Sequence, residues 1–178
     1  MQDTIAAHSL TQKLEDHMNG IPLPLQATIV APEQALMIKP FDLHMKVLLT
    51  SEATGGAISV IIGWHKPGEG PPDHVHFSQE EVFYIIDGIY ELSVGDRTEA
   101  VGPGTIVFIP RNVVHRFKNI GDTIACMLDW SLPGGQDHYF QEISKLVARG
   151  AFTSGKVTEI SKKFDTNFPA AHRPSSEI

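Results

Sequence analysis

The chain has a single cysteine, Cys126, in 178 residues. No intrachain disulfide can form, so stability must come from packing. Cys126 stands in the apolar run Ile124–Leu128, where a buried, inert thiol is expected. Clustered positive charge is also missing. Fourteen basic residues face 21 acidic ones, a formal net charge of −7, and no Lys/Arg cluster occurs anywhere. Nucleic-acid and anionic-membrane partners need such a cluster to displace counterions, and both are excluded as expectations. No apolar run approaches the roughly 18 residues of a membrane span. The start, Met1-Gln2-Asp3-Thr4, has no basic stretch leading into an apolar core, so no secretory signal is expected and the cytoplasm is the expected location. Internal repeats and low-complexity segments are absent too. Hydrophobic residues at 42% and charged residues at 20% are an ordinary globular balance.

Turn formers are plentiful, with 15 glycines and 12 prolines, which suits many short strands better than a helical bundle. Residues 35–131 read as strands: Ala35–Ile38, Leu43–Thr50, Ala57–Trp64, Val75–Phe77, Val82–Asp87, Ile89–Val94, Thr98–Val101, Thr105–Ile109, Val114–Asn119 and Ile124–Ser131. Asp87-Gly88, Gly95-Asp96 and Gly102-Pro103-Gly104 are the turn signals between them. Close spacing without a helical period predicts an all-β antiparallel barrel or sandwich. Residues 1–34 form a leader. Its helix is marked by the capping-box spacing of Ser9 and Gln12, by Leu10, Leu14 and Met18, and by Gly20 as a stop. Residues 132–178 form a helical extension. Phe140, Ile143 and Val147 share one helical face and Gly150 ends it; a second stretch carries Val157, Ile160, Phe164 and Phe168 up to Pro169. Both helices are expected on an outer face of the sheet.

Nine histidines are present. His74 and His76 are two apart, and on a strand alternate residues point to the same side, which offers a divalent metal two imidazoles. Glu81 shares a strand face with Phe83 and Ile85, where a carboxylate is costly to bury unless paired or bound to a cation. Glu80 is the neighbouring alternative, though alternation points it away. His115 stands at the mouth of a later strand. His44, His65 and His138 read as satisfied or solvated, with His65 the one worth testing. Two surface histidines match His-x-His easily, so the surrounding framework must decide.

That framework is Gly68, then His74-Val75-His76, Glu81 and Gly88, followed by Gly104, Pro110, His115 and Asn119. It resembles the two signature motifs of the cupin superfamily over roughly residues 40–131. Asn112 alone departs, standing where the family usually has glycine; Asn also tolerates the left-handed conformation. The resemblance implies an antiparallel cupin-type β-barrel (jelly-roll) with an N-terminal helix and two C-terminal helices. It implies one divalent transition metal (Fe, Mn, Ni, Co, Cu or Zn) on His74, His76, Glu81 and His115, and a homodimer.

Such an N₃O donor set leaves two positions open on an octahedral ion, and its carboxylate can double as a base, which makes Glu81 the candidate catalytic residue. Phe83, Ile85 and Phe117 either line an apolar ligand cavity or fill the core, and Met127 and Asp129 share a face of the closing strand. The wording around Pro110–Asp122 is similar to small bacterial cupins grouped with quercetin-dioxygenase-like proteins. That implies a metal-dependent dioxygenase acting on a small hydroxylated aromatic or dicarbonyl compound. The alternatives are a non-catalytic metal-containing small-molecule binding protein and a cupin isomerase or lyase.

Overall fold

The computed structural model describes residues 25–169. Nine strands run β1 (Leu36–Ile38), β2 (His44–Leu49), β3 (Ser59–His65), β4 (Glu80–Asp87), β5 (Tyr90–Val94), β6 (Arg97–Val101), β7 (Ile106–Ile109), β8 (His115–Asn119) and β9 (Ala125–Leu132). Two α-helices follow, α1 (Gln136–Ala148) and α2 (Ser154–Lys163). All strand pairs are antiparallel. They form a six-stranded sheet, β1-β2-β3-β9-β4-β7, and a three-stranded sheet, β6-β5-β8.

The expected closed barrel is therefore corrected: the hydrogen-bonded ladders end in two separate sheets. Two α-helices are present among the described residues, and the expected leader helix, marked by Ser9 to Gly20, lies outside them. Sheet alternation explains the core. In β4, Glu81, Phe83 and Ile85 are buried, whereas Tyr84 and Ile86 on the other face are exposed. Phe83 and Ile85 join Tyr90, Leu92, Ile109, Ala125 and Met127 in the main apolar cluster, with Phe117 packed on it.

Helix α1 is placed differently from the expectation. Val47 pairs with Ile61 and Ile61 with Asp129, which pairs in turn with Phe83, so all four share the core face of the large sheet. A second cluster of Ile38, Met45, Val47 and Ile61 on that face receives Phe140 of α1. The three-stranded sheet thus covers the β4 side of the core face, and α1 covers the β1–β2 side. The second helical stretch also ends earlier than its apolar spacing suggested. Asp165 takes a left-handed backbone, φ 58°, so the helix stops at Lys163 and Phe168 lies beyond it.

Candidate metal centre

The strand expected over Val75–Phe77 is absent. His74 and Val75 instead make single bridges, to His115 and Asn167. The bridge to β8 is what brings the two motifs together, with His74 N–H donating to His115 O at 3.0 Å and His115 N–H to His74 O at 2.9 Å. Asn112 sits at φ 68°, the conformation expected of it, and its N–H donates to His76 O at 2.7 Å. Gly88 is required for a different reason: a Cβ there would stand 2.3 Å from that of Ala125.

The structure brings His74, His76, Glu81 and His115 together, with one donor atom from each lying within 4.8 Å of all the others. All four are buried, none more than 7% exposed. The donor chemistry fits a divalent ion. Each imidazole gives its Nδ1–H to a backbone carbonyl: His74 to Pro72 at 3.0 Å, His76 to Asp165 at 2.8 Å, His115 to Val113 at 2.9 Å. A carbonyl can only accept, so the tautomer is fixed and all three Nε2 atoms are left as ligands. Glu81 reaches His115 Nε2 at 2.7 Å and His76 Nε2 at 3.4 Å.

The electrostatics follow from this packing. Burial, reinforced by the neighbouring His115, pulls the His74 imidazole down to about 4. Burial acts most strongly against a charge on His76, yet the Glu81 carboxylate and the Asp165 carbonyl and carboxylate together outweigh it and raise this group. Burial alone would push the Glu81 carboxyl up; the hydrogen bonds from His115 and His76 hold it well below the usual carboxylate range. Glu80 lies on the opposite face, where it accepts from Arg111 Nε at 2.7 Å.

Near the centre, Asp165 and Gln136 carry signals too weak to single out in the sequence, and Asp129 is legible there only by its face of the closing strand. Asp165 supplies the carbonyl that holds His76, and its carboxylate accepts from Phe77 N, Ser78 N and Ser78 Oγ at 2.6–3.1 Å. Gln136, the first residue of α1 and only 3% exposed, places its amide nitrogen 3.4 Å from Glu81 Oε1. Asp129, opposite Phe83 on β9, has a shielded Oδ1 with no hydrogen-bond partner; burial and the nearby Glu81 raise its carboxyl well above the ordinary range. Phe83 and Phe117 stand 5.8 Å apart, and Phe83 lies 6.4 Å from His115, so the aromatic core is also the floor of the centre.

Other sequence candidates lie elsewhere. His65 is buried below that floor, its Nδ1 2.8 Å from Tyr90 Oη. His44 packs on Trp64 and His138 lies 3.8 Å from Glu52, neither belonging to the cluster, and His8, His17 and His172 fall outside the described residues. A groove of about 600 Å³ lined by Met37, His44, Trp64, Lys66 and Ile124 among others contains none of the four clustered residues. Asn119 of the second motif is structural: its amide donates to His65 O and Thr123 O, both at 2.8 Å, and its Oδ1 accepts from Gly121 N.

Comparison with known proteins agrees with this geometry. The cupin domain model matches residues 65–131. Protein SchB of Streptomyces halstedii is 36% identical over 102 residues, covering 56% of this chain and 73% of that one. Polyketide synthase CurC of Streptomyces cyaneus is 34% identical over 86 residues, which span 47% of this chain and 55% of CurC. Among solved structures, KdgF from Halomonas sp. superposes with a TM-score of 0.56 at 12% identity, over 64% of this chain and 99% of that one, a likeness of fold alone. No described helix is long and apolar enough to cross a membrane. With both motifs folded around one buried His/His/Glu/His cluster, and with these matches, the chain belongs to the cupin superfamily.

Proposed function

We propose that this chain is a metal-dependent enzyme acting on a small hydroxylated aromatic or dicarbonyl compound, with dioxygen as co-substrate. The observation that carries it is the buried set of three tautomer-fixed imidazoles and one carboxylate above an aromatic floor. A divalent transition metal held by His74, His76, Glu81 and His115 would supply a Lewis-acid centre for a substrate oxygen. Glu81 is the only carboxylate of that set, and it takes the substrate proton. A phenol or enol fits this role better than an aliphatic alcohol, because its proton is the more acidic and a bound metal would acidify it further. The two Glu81 oxygens face His115 Nε2 at 2.7 Å and His76 Nε2 at 3.4 Å, so the carboxylate points into the same space as the ligand nitrogens. Phe83 and Phe117 close the inner side of the centre and exclude water from the electron-rich conjugate base. A homodimer in the cytoplasm completes the proposal. The open β1 and β7 edges, with Leu36, Met37, Ile106 and Phe108 exposed, favour cover by a second copy.

One observation favours a second reading, cyclisation or isomerisation of a polycarbonyl chain without oxygen: the relative CurC bears the name polyketide synthase. Both readings share the substrate oxygen, the proton and Glu81. The test loads the protein with Fe(II), Mn(II), Ni(II) or Cu(II) and offers flavonols, catechols and 1,3-dicarbonyls in an oxygen electrode. Oxygen uptake coupled to substrate loss supports the dioxygenase. Conversion that persists under argon supports the second reading. Tight binding without conversion in either atmosphere contradicts both and leaves a metal-containing binding protein.

A further inference from the structure

Helix α1 begins with a residue that its own packing does not explain. Gln136 is 3% exposed, yet its Oε1 has no hydrogen-bond partner. An unpartnered buried acceptor is disfavoured in a folded protein, and a side chain kept in that state marks a site where something else supplies the donor. The amide nitrogen of the same group lies 3.4 Å from Glu81 Oε1 and at nearly equal distances from the two ring nitrogens of His76, 3.3 and 3.5 Å. Near-equal distances put the amide over the face of the imidazole rather than in its plane. Nitrogen ligands bind a metal in the ring plane, so Gln136 borders the centre without standing in the place of a ligand.

The chain before Gln136 is tightly determined. Gln79 Nε2 donates to Pro133 O at 3.0 Å and to Gly134 O at 3.2 Å. A Cβ on Gly134 would meet Ser51 Oγ at 2.8 Å and the Ile58 backbone at 2.9 Å, so the approach of this loop to β3 depends on glycine. The next residue, Asp137, is fully buried and accepts from both the N–H and the hydroxyl of Ser51. The first turn of α1 is thus anchored on both sides, and the anchors fix Gln136 beside Glu81. A second buried polar atom without a partner, Asp129 Oδ1, belongs to β9, whose Asp129 pairs with Phe83 of β4.

We propose that Gln136 is a substrate-recognition residue of this centre, whose amide oxygen accepts a hydrogen bond from a hydroxyl adjacent to the one bound at the four-residue cluster. The Gln136 oxygen then needs a second hydroxyl beside the first, so the ligand class is a compound with vicinal hydroxyl donors on an aromatic ring. This rests on the function proposed above and narrows it: a singly hydroxylated or O-methylated ring leaves the Gln136 oxygen unpaired.

The test measures binding, not turnover. Catechol and 2-methoxyphenol are titrated calorimetrically, under argon, into wild-type protein and a Gln136→Met variant, each loaded with one equivalent of Co(II) or Zn(II). Methionine keeps the volume and removes the acceptor. Metal affinity of both proteins is measured in parallel by competition with a chelator. The wild type is expected to prefer catechol by about 10-fold or more, the equivalent of one hydrogen bond. In the variant the catechol affinity falls by a similar factor, 2-methoxyphenol is unchanged, and metal affinity stays within about 3-fold. An unaltered preference in Gln136→Met overturns the inference. So does a wild type that binds neither phenol, or a loss of metal affinity that accounts for the lost catechol. A wild type that binds catechol selectively but never converts it supports the recognition role while contradicting the enzyme reading, so the two fail separately.

Discussion

His65 allows the packing account to be tested without reference to any metal. Its imidazole is 1% exposed, Nδ1 meets Tyr90 Oη at 2.8 Å, and Nε2 has no partner. Burial pulls its pKa from 6.5 down to about 4, opposed only by the more distant Glu69. The folded value is below the unfolded one. Between the two, the unfolded chain binds a proton that the folded chain refuses, and stability falls as the pH falls. Full development of that difference corresponds to about 3 kcal/mol, and most of it, about 2 kcal/mol, is expressed between pH 7 and pH 4.5. His65→Gln retains an amide for Tyr90 and removes the titration. Its constant cost from altered packing is the same at both pH values and cancels in the comparison, as does the parallel acid sensitivity of His74. Urea unfolding of chelator-treated wild type and variant at pH 7 and 4.5 is the assay. The variant should gain about 2 kcal/mol on the wild type over that interval, roughly 1 M in midpoint at an m-value of about 2 kcal/mol/M. Parallel pH curves for the two proteins would refute the assignment of His65 as a neutral core group.

Three further outcomes follow from the same packing. Glu81→Gln should weaken metal binding severely in equilibrium dialysis, while Glu80→Gln, which loses only an exposed contact with Arg111, should retain it; if Glu81 is also the base, the fully loaded variant stays about 10²–10⁴-fold slow. Asn119→Ala removes two donated bonds and one accepted bond from a fully buried site, and a loss of about 2–4 kcal/mol in urea unfolding is expected, with metal affinity at neutral pH little changed. Cys126 is buried and its thiol is pushed up to about 11, so the folded protein should not react with a thiol reagent at pH 8, and reaction should appear only with unfolding.

Local chemistry explains what the sequence disclosed. Strand alternation put Glu81, Phe83 and Ile85 on one face and Glu80 on the other, because the period of two is a property of the backbone itself. The histidine and glycine spacing pointed to the same four residues that the fold gathers, since each lies close to a turn whose geometry the glycines and Asn112 determine. What stayed hidden depends on long-range partners. His74 and His76 share a side because of a bridge to β8 and not because they form a strand. The sandwich edges depend on which strands stop pairing, which no single strand encodes. Asp165 lies 89 residues from the histidine it holds, and Gln136 lies 55 residues from Glu81. The apolar spacing of Phe164 and Phe168 continued a helical pattern that the left-handed turn at Asp165 interrupts.

The central claim is that His74, His76, Glu81 and His115 hold one divalent transition metal. The most direct measurement is elemental analysis joined to chelator-competition affinity, on wild-type protein and on the His74→Ala/His76→Ala double variant, with His138→Ala as the control. About one equivalent of metal is expected in the wild type and in His138→Ala. Occupancy should drop in acid, since an imidazole must be neutral to bind a metal, and the double variant should hold little or none. Full metal retention in the double variant, with the fold intact by circular dichroism, would contradict the account.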